Sequence, residues 1–294
     1  MRRMRTSSAL AALALCLLAS AASATLQVVA TIHPLADLLS QLGGAEVSVT
    51  TLLPAGANPH SYEPAPTQML ALSQSALLVR IGAGLDNWAN KLLDAGAGQV
   101  AVVTVTDGMK LAALDDAEEA AEHGGDPHVW LDPILMRDNV LPAILGGLSA
   151  VAPAKRDLFE ENARRVASKL TALDSDLQRI LAPVKGRSFV AFHSAWGYFS
   201  RRYELHEVGS LEPFPGKEVS ARQIMALIDA SRMASTHAVL VEPSFSPRVA
   251  EQIAREIGGQ TYVVDPLGVT GLAGRDAYDD LMHYNARTFR EALQ

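Results

Sequence analysis

Four residues have the chemistry of metal ligands and recur at long, similar intervals: His60, His128, His193 and Asp265, separated by 68, 65 and 72 positions. Three imidazoles and one carboxylate make an N3O donor set suited to tetrahedral Zn²⁺, with ligand atoms about 2.0–2.2 Å from the ion. Manganese prefers more oxygen and a higher coordination number. The intervals are far too long for a zinc finger, so any shared site must be assembled by the fold, and spacing alone leaves convergence open. His128 has the most constrained setting. It lies in Asp-Pro-His-Val-Trp-Leu-Asp-Pro, residues 126–133, between two X-Pro steps that bias the backbone away from helix. A histidine beside Trp130 is also the pattern of a packed, hydrogen-bonded core residue, and that reading stands beside the ligand one.

The elements that would carry these residues follow from the apolar pattern. Leu26–Ile32, Val47–Leu53, Leu77–Ile81 and Val100–Val105 read as strands in the first half, and Ser188–Phe192, Ala238–Val241 and Thr261–Val264 in the second. Amphipathic segments alternate with them, which predicts parallel sheets in α/β lobes. His60 falls in the loop after the second strand, while His193 and Asp265 follow their strands with no gap. Open α/β sheets bind ligands beyond the carboxyl ends of their strands. Two such residues from each lobe would close a cleft.

Between the halves, Phe159, Ala163, Val166, Leu170, Leu173, Leu177 and Ile180 step by four and three, one stripe of a helix. Pro153 and Pro183 bound it, giving a rod of about 43 Å. The expected fold is therefore α/β, with two lobes, each a mainly parallel sheet flanked by helices, joined by one long rigid helix. The expected boundaries are 25–153, 154–182 and 183–294.

The first residues, Met-Arg-Arg-Met-Arg followed by an apolar run and Ala22-Ser-Ala24, read as a secretory signal with cleavage after Ala24. Cys16, the only cysteine, follows Leu15, where a lipidation signal would want a small residue. Removal of residues 1–24 takes away three arginines and moves the net charge from −7 to about −10. What remains has no cysteine, so its stability must come from a core. The acidic balance excludes nucleic acid as a natural partner and suits cations. No later apolar stretch reads as a membrane span. The segment 112–125, with five acidic residues and His123, reads as a solvated loop.

Five ordered stretches carry a resemblance: Asn-Pro-His-Ser-Tyr-Glu-Pro at 58–64, the 126–133 motif, Phe-His-Ser-Ala-Trp-Gly-Tyr-Phe at 192–199, Val-Glu-Pro-Ser-Phe-Ser-Pro at 241–247, and Val-Asp-Pro-Leu-Gly at 264–268. From about Leu26 onward the chain resembles the zinc and manganese solute-binding proteins of metal ABC importers, and the zinc-uptake type in particular. The resemblance implies two lobes on a rigid helix and a metal held between them by His60, His128, His193 and Asp265. It also implies a periplasmic, monomeric, non-enzymatic protein that hands Zn(II) to the transmembrane subunits of an ABC permease, with Mn(II) as the alternative cargo. His193 favours zinc, because manganese members often carry Glu at that point. The short acidic loop departs from the long His-rich loop of many zinc members.

The remaining histidines have blander readings: His33 a satisfied loop residue, His206 and His237 structural groups in apolar surroundings, and His283 part of a C-terminal helix face. Glu63, Glu212 and Glu242 are expected to orient loops or ligands. The rival from another class is a secreted zinc hydrolase with three protein ligands and water. It lacks His-Glu-x-x-His, Gly-x-Ser-x-Gly or any comparable signature. A pure adhesion module would leave the four residues without a joint purpose.

Overall fold

A computed structural model describes residues 25–96, 100–113, 124–212 and 220–294. The signal sequence, its cleavage site, Cys16 and His123 lie outside the described residues. The strands are β1 (Leu26–Ala30), β2 (Val47–Thr51), β3 (Leu77–Arg80), β4 (Ala101–Thr104), β5 (Ser188–His193), β6 (His206–Glu212), β7 (Ala238–Val241) and β8 (Gln260–Val263). They form two four-stranded sheets, ordered β2-β1-β3-β4 and β6-β5-β7-β8, and every pairing is parallel. In both sheets the central strands are apolar nearly throughout, as in Leu77-Leu-Val and Ala238-Val-Leu-Val, because helices cover both faces.

The strand β6 was not expected. Its sequence, His-Glu-Val-Gly-Ser-Leu-Glu, has no apolar run, and it lies at a sheet edge with a register shift opposite Phe189 and Val190. Edge position removes the need for an apolar run. His206 at its start and His237 just before β7 are exposed, which corrects the expectation that both sit in apolar surroundings. Each precedes the buried part of its strand.

The helices relevant to the site are α1 (His33–Gly43), α2 (Pro66–Ser73), α3 (Trp88–Asp94), α4 (Pro133–Val151), α5 (Arg156–Leu181), α6 (Gly197–Tyr203), α7 (Ala221–Met233), α8 (Pro247–Glu256) and α9 (Tyr278–Leu293). α4 contains a π-turn at Met136–Val140, where the Leu141 N–H reaches back to the Met136 carbonyl just before Pro142. That is how a helix absorbs an internal proline that supplies no N–H. With 19 residues and a mean hydropathy of 1.3, α4 is long and apolar enough to cross a membrane, contrary to the expectation of no such stretch. Here Leu141, Ile144 and Leu148 are buried as it packs on β3, β4 and α5.

α5 runs 26 residues between short 3₁₀ turns at Pro153–Lys155 and Ala182–Val184, a rod of about 39 Å. The stripe is buried from Phe159 through Leu177, with Leu181 rather than Ile180 closing it. It packs on α1 and α4 from one side of the molecule and α9 from the other. A single hydrophobic core consequently runs through both lobes, while a smaller one lies beneath α7 and α8. Polar bonds reinforce this link. Trp130 Nε1 donates to the Pro266 carbonyl at 2.7 Å, the Tyr278 hydroxyl donates to the Trp130 carbonyl at 2.6 Å, and Arg202 pairs with buried Asp132 at 2.8 Å.

Candidate metal centre

His60 sits on the loop that follows β2. Its backbone N–H donates to Asn58 Oδ1 at 2.9 Å, a side-chain-closed turn. Trp88 of α3 holds the same loop, donating from Nε1 to the Pro59 carbonyl at 2.9 Å while Tyr62 meets its ring edge-on. Glu63, expected to orient a loop, pairs with Lys91 on the exposed side.

His128 is buried, and Asp126 holds it twice. Asp126 Oδ1 accepts the backbone N–H at 3.0 Å and the ring Nδ1–H at 2.8 Å. Asp126 is itself fixed by its N–H to the Ala112 carbonyl and by the Tyr198 hydroxyl donating to its carbonyl at 3.0 Å. At the other end of the motif, Asp132 caps α4 through Oδ1.

His193 is the last residue of β5, and Glu242 is the first after β7, the neighbouring strand. In a sheet ordered β6-β5-β7-β8 the chain leaves β5 in opposite directions, so this is the crevice at a topological switch point. Glu242, buried, accepts the Nδ1–H of His193 at 2.9 and 3.2 Å. A carboxylate can only accept, so both His128 and His193 carry hydrogen on Nδ1 and turn the Nε2 lone pair inward. Nε2 of His193 is buried and has no hydrogen-bond partner among the described residues.

The three imidazoles meet. Their ring centroids are 5.3, 5.3 and 5.0 Å apart, and one ligand atom from each lies within 4.8 Å of the others. His60 Nε2 and His128 Nε2 are 3.3 Å apart. Nitrogens about 2.05 Å from a tetrahedral zinc are separated by about 3.3–3.4 Å, so this pair already spans one edge of such a centre. Trp130, Phe245 and Pro266 wall the recess, whose cavity of about 10 Å³ has room for one ion or one water. Burial works against the imidazolium of His128 and lowers its pKa in spite of Asp126. Burial opposes the charge on His193 as well, but there the Glu242 carboxylate outweighs it and the pKa is raised. A proton and a metal therefore compete for Nε2 of His193.

Asp265 is not brought into this group. Its carboxylate accepts the Leu267 and Gly268 amides on Oδ1, at 3.0 and 2.9 Å, and Arg275 on Oδ2 at 3.0 Å. Its backbone is clamped to α9, with Asn285 Oδ1 accepting its N–H and Asn285 Nδ2 donating to its carbonyl. His33 bonds to the Asp276 carbonyl and lies near Thr270, a satisfied loop histidine as expected. The sequence reading assigned no role to Asp126, Trp130 or Asn285. Asp126 had a local signal, since an acceptor two residues before a histidine can close a turn onto it.

Two parallel α/β sheets on one long helix, with a three-imidazole cluster between them, two of its rings buried, define a two-lobed metal-binding protein. The chain belongs to the ZnuA family, the periplasmic component A of the zinc-uptake complex, which it matches over residues 28–292. It is 30% identical over 255 residues to the zinc-binding lipoprotein AdcA of Streptococcus pneumoniae, covering 84% of this chain and 51% of AdcA. It thus spans about half the length of that relative. It is 26% identical over 284 residues to the high-affinity zinc uptake system protein ZnuA of Bacillus subtilis, covering 91% of this chain and 88% of the other. A crystal structure of a zinc-bound ZnuA deletion mutant superimposes with a TM-score of 0.81 at 30% identity, covering 92% of this chain and 98% of that one. Members of the family are metal-binding components of transport systems.

Proposed function

We propose that the protein captures Zn²⁺ outside the cytoplasm and delivers it to an ABC-type permease for import. The observation that carries this is the convergence of His60, His128 and His193 with Nε2 of His193 buried and unpartnered among the described residues. An isolated buried ring nitrogen costs free energy, and a cation removes that cost. Three imidazoles suit zinc better than manganese, and Asp126 and Glu242 behind two of them supply countercharge. We assign His60, His128 and His193 as ligands, with Asp265 as the fourth. The zinc-uptake relatives support the cargo and the permease partner, and the signal-like N-terminus supports a periplasmic carrier.

A three-histidine centre with an open position also fits a zinc hydrolase. Two features favour the carrier. Among the described residues, the carboxylates at the site are engaged, Asp126 and Glu242 on ring Nδ1 atoms and Asp265 on Arg275. The recess among the imidazoles, with a cavity of about 10 Å³, is the size of a single ion. Competitive titration of chelator-stripped protein against a chromophoric chelator tests the reading. One tight Zn²⁺ site per chain with weaker Mn²⁺ binding is expected; no tight site, or hydrolysis of model esters and peptides by the zinc-loaded protein, would overturn it.

A further inference from the structure

Ser244, Pro266 and Leu267 separate the imidazole recess from a second, larger cavity of about 370 Å³, bordered by His33, Asp265 and Arg275. Asp265 is buried at its rim, its two oxygens held differently. Oδ1 is tied to the amides of Leu267 and Gly268 in its own turn. Gly268 makes that turn possible, with φ of +63° and with Arg275's carbonyl only 2.5 Å from where a Cβ would stand. Among the described residues, Oδ2 has a single partner, the guanidinium of Arg275. Since Asn285 fixes the backbone on both sides of Asp265, the carboxylate can approach the histidines only by turning Oδ2 away from Arg275.

Resting on the metal reading above, we propose that Arg275 competes with the incoming divalent cation for the Asp265 carboxylate, so that zinc is taken first by three imidazoles and Asp265 is surrendered second. The guanidinium has somewhere else to go. It lies 4.8 Å from the ring centroid of Tyr284 on α9, a cation–π contact that persists when the ion pair opens. Its side chain is 22% exposed, so solvent also receives it. A dication among neutral imidazoles attracts the carboxylate and repels the arginine, and both effects drive the exchange in one direction. Run in reverse, the same exchange lowers the barrier to release, because the departing metal's carboxylate is retaken by a cation already in place.

The sign of one substitution tests this. An arginine that merely oriented a ligand would weaken binding about 10–100-fold when removed. Competition predicts the opposite: Arg275→Met, or Arg275→Gln should the first variant fold poorly, tightens Zn²⁺ binding about tenfold and slows dissociation to match, while Arg275→Lys restores the wild-type value. Asp265→Asn weakens binding, and in that background Arg275→Met changes affinity less than about twofold. Weaker binding in Arg275→Met, or a gain that survives in Asp265→Asn, would overturn the proposal. The second outcome would assign the effect to general charge repulsion. Wild-type protein that binds no zinc, or binding unchanged by His128→Ala, would instead defeat the underlying site and be recognised as such.

Discussion

At the carboxyl ends of β5 and β7 the crevice of the second lobe is occupied by the site itself: a strand ends on His193 and its neighbour delivers Glu242 behind it. The first lobe has the same strand order, but the matching crevice between β1 and β3 is filled by structure. There buried Asp86 accepts the Thr31 hydroxyl at 2.6 Å and the Ile81 and Gly82 amides at 2.8 and 2.9 Å. Its ligands come instead from connections, His60 on a loop pinned by Trp88 and His128 on a segment pinned by Asp126 and Trp130. One lobe thus holds its histidine on a strand end, and the other offers two on loops that secondary contacts must stiffen. The comparison teaches that a shared topology provides the crevice without dictating whether it serves chemistry or folding.

The contrast breaks first at the ligands. His193→Ala should cost at least about a hundredfold in zinc affinity, more than loss of any residue behind a ligand. An equal or smaller loss than for Glu242→Gln, by competitive titration, would remove His193 from the metal. Glu242→Gln and Asp126→Asn come next, each weakening zinc about 10–100-fold by freeing the ring tautomer. They should separate by pH. With the His193 pKa raised above 6.5 by Glu242, zinc competes with a proton at values above 6.5, so affinity falls by about tenfold per unit as pH drops through that range. His128, whose pKa is lowered, stays neutral throughout it. Glu242→Gln should shift the onset of loss to lower pH and Asp126→Asn should not; identical profiles would show that His193 is not the proton-sensitive ligand.

Asp86→Asn sharpens the comparison from the other side. Replacing one carboxylate oxygen with an amide NH2, which sets a donor against donors among Thr31, Ile81 and Gly82, should lower stability by about 2–4 kcal/mol in urea unfolding, with zinc affinity changed less than about threefold. A large fall in affinity would mean the first lobe's crevice serves the metal after all. Smallest of all is the change of shape. The core shared by the lobes and α5 predicts superimposable small-angle scattering profiles with and without zinc, whereas a marked compaction would contradict a braced cleft.

Much of this was legible in the sequence. Buried central strands announce themselves as apolar runs, and the stripe on α5 shows which way that helix faces. β6 escaped because an edge strand needs no such run, and α4 because Arg137, Asp138 and Pro142 interrupt an otherwise apolar helix. Of the site, the histidines' places after strands and in proline-bounded turns could be read, but not what orients them. The bond from Glu242 to His193 joins residues 49 apart through a strand pairing, and the orientation of Asp265 depends on Arg275, which no periodicity links to it.

The central claim is that one metal sits among His60, His128 and His193. A zinc-edge anomalous diffraction map from crystals of the zinc-loaded protein tests it most directly. The account predicts a single strong peak within about 2.0–2.1 Å of Nε2 of all three histidines. A peak elsewhere, with the three rings undisturbed, would contradict it.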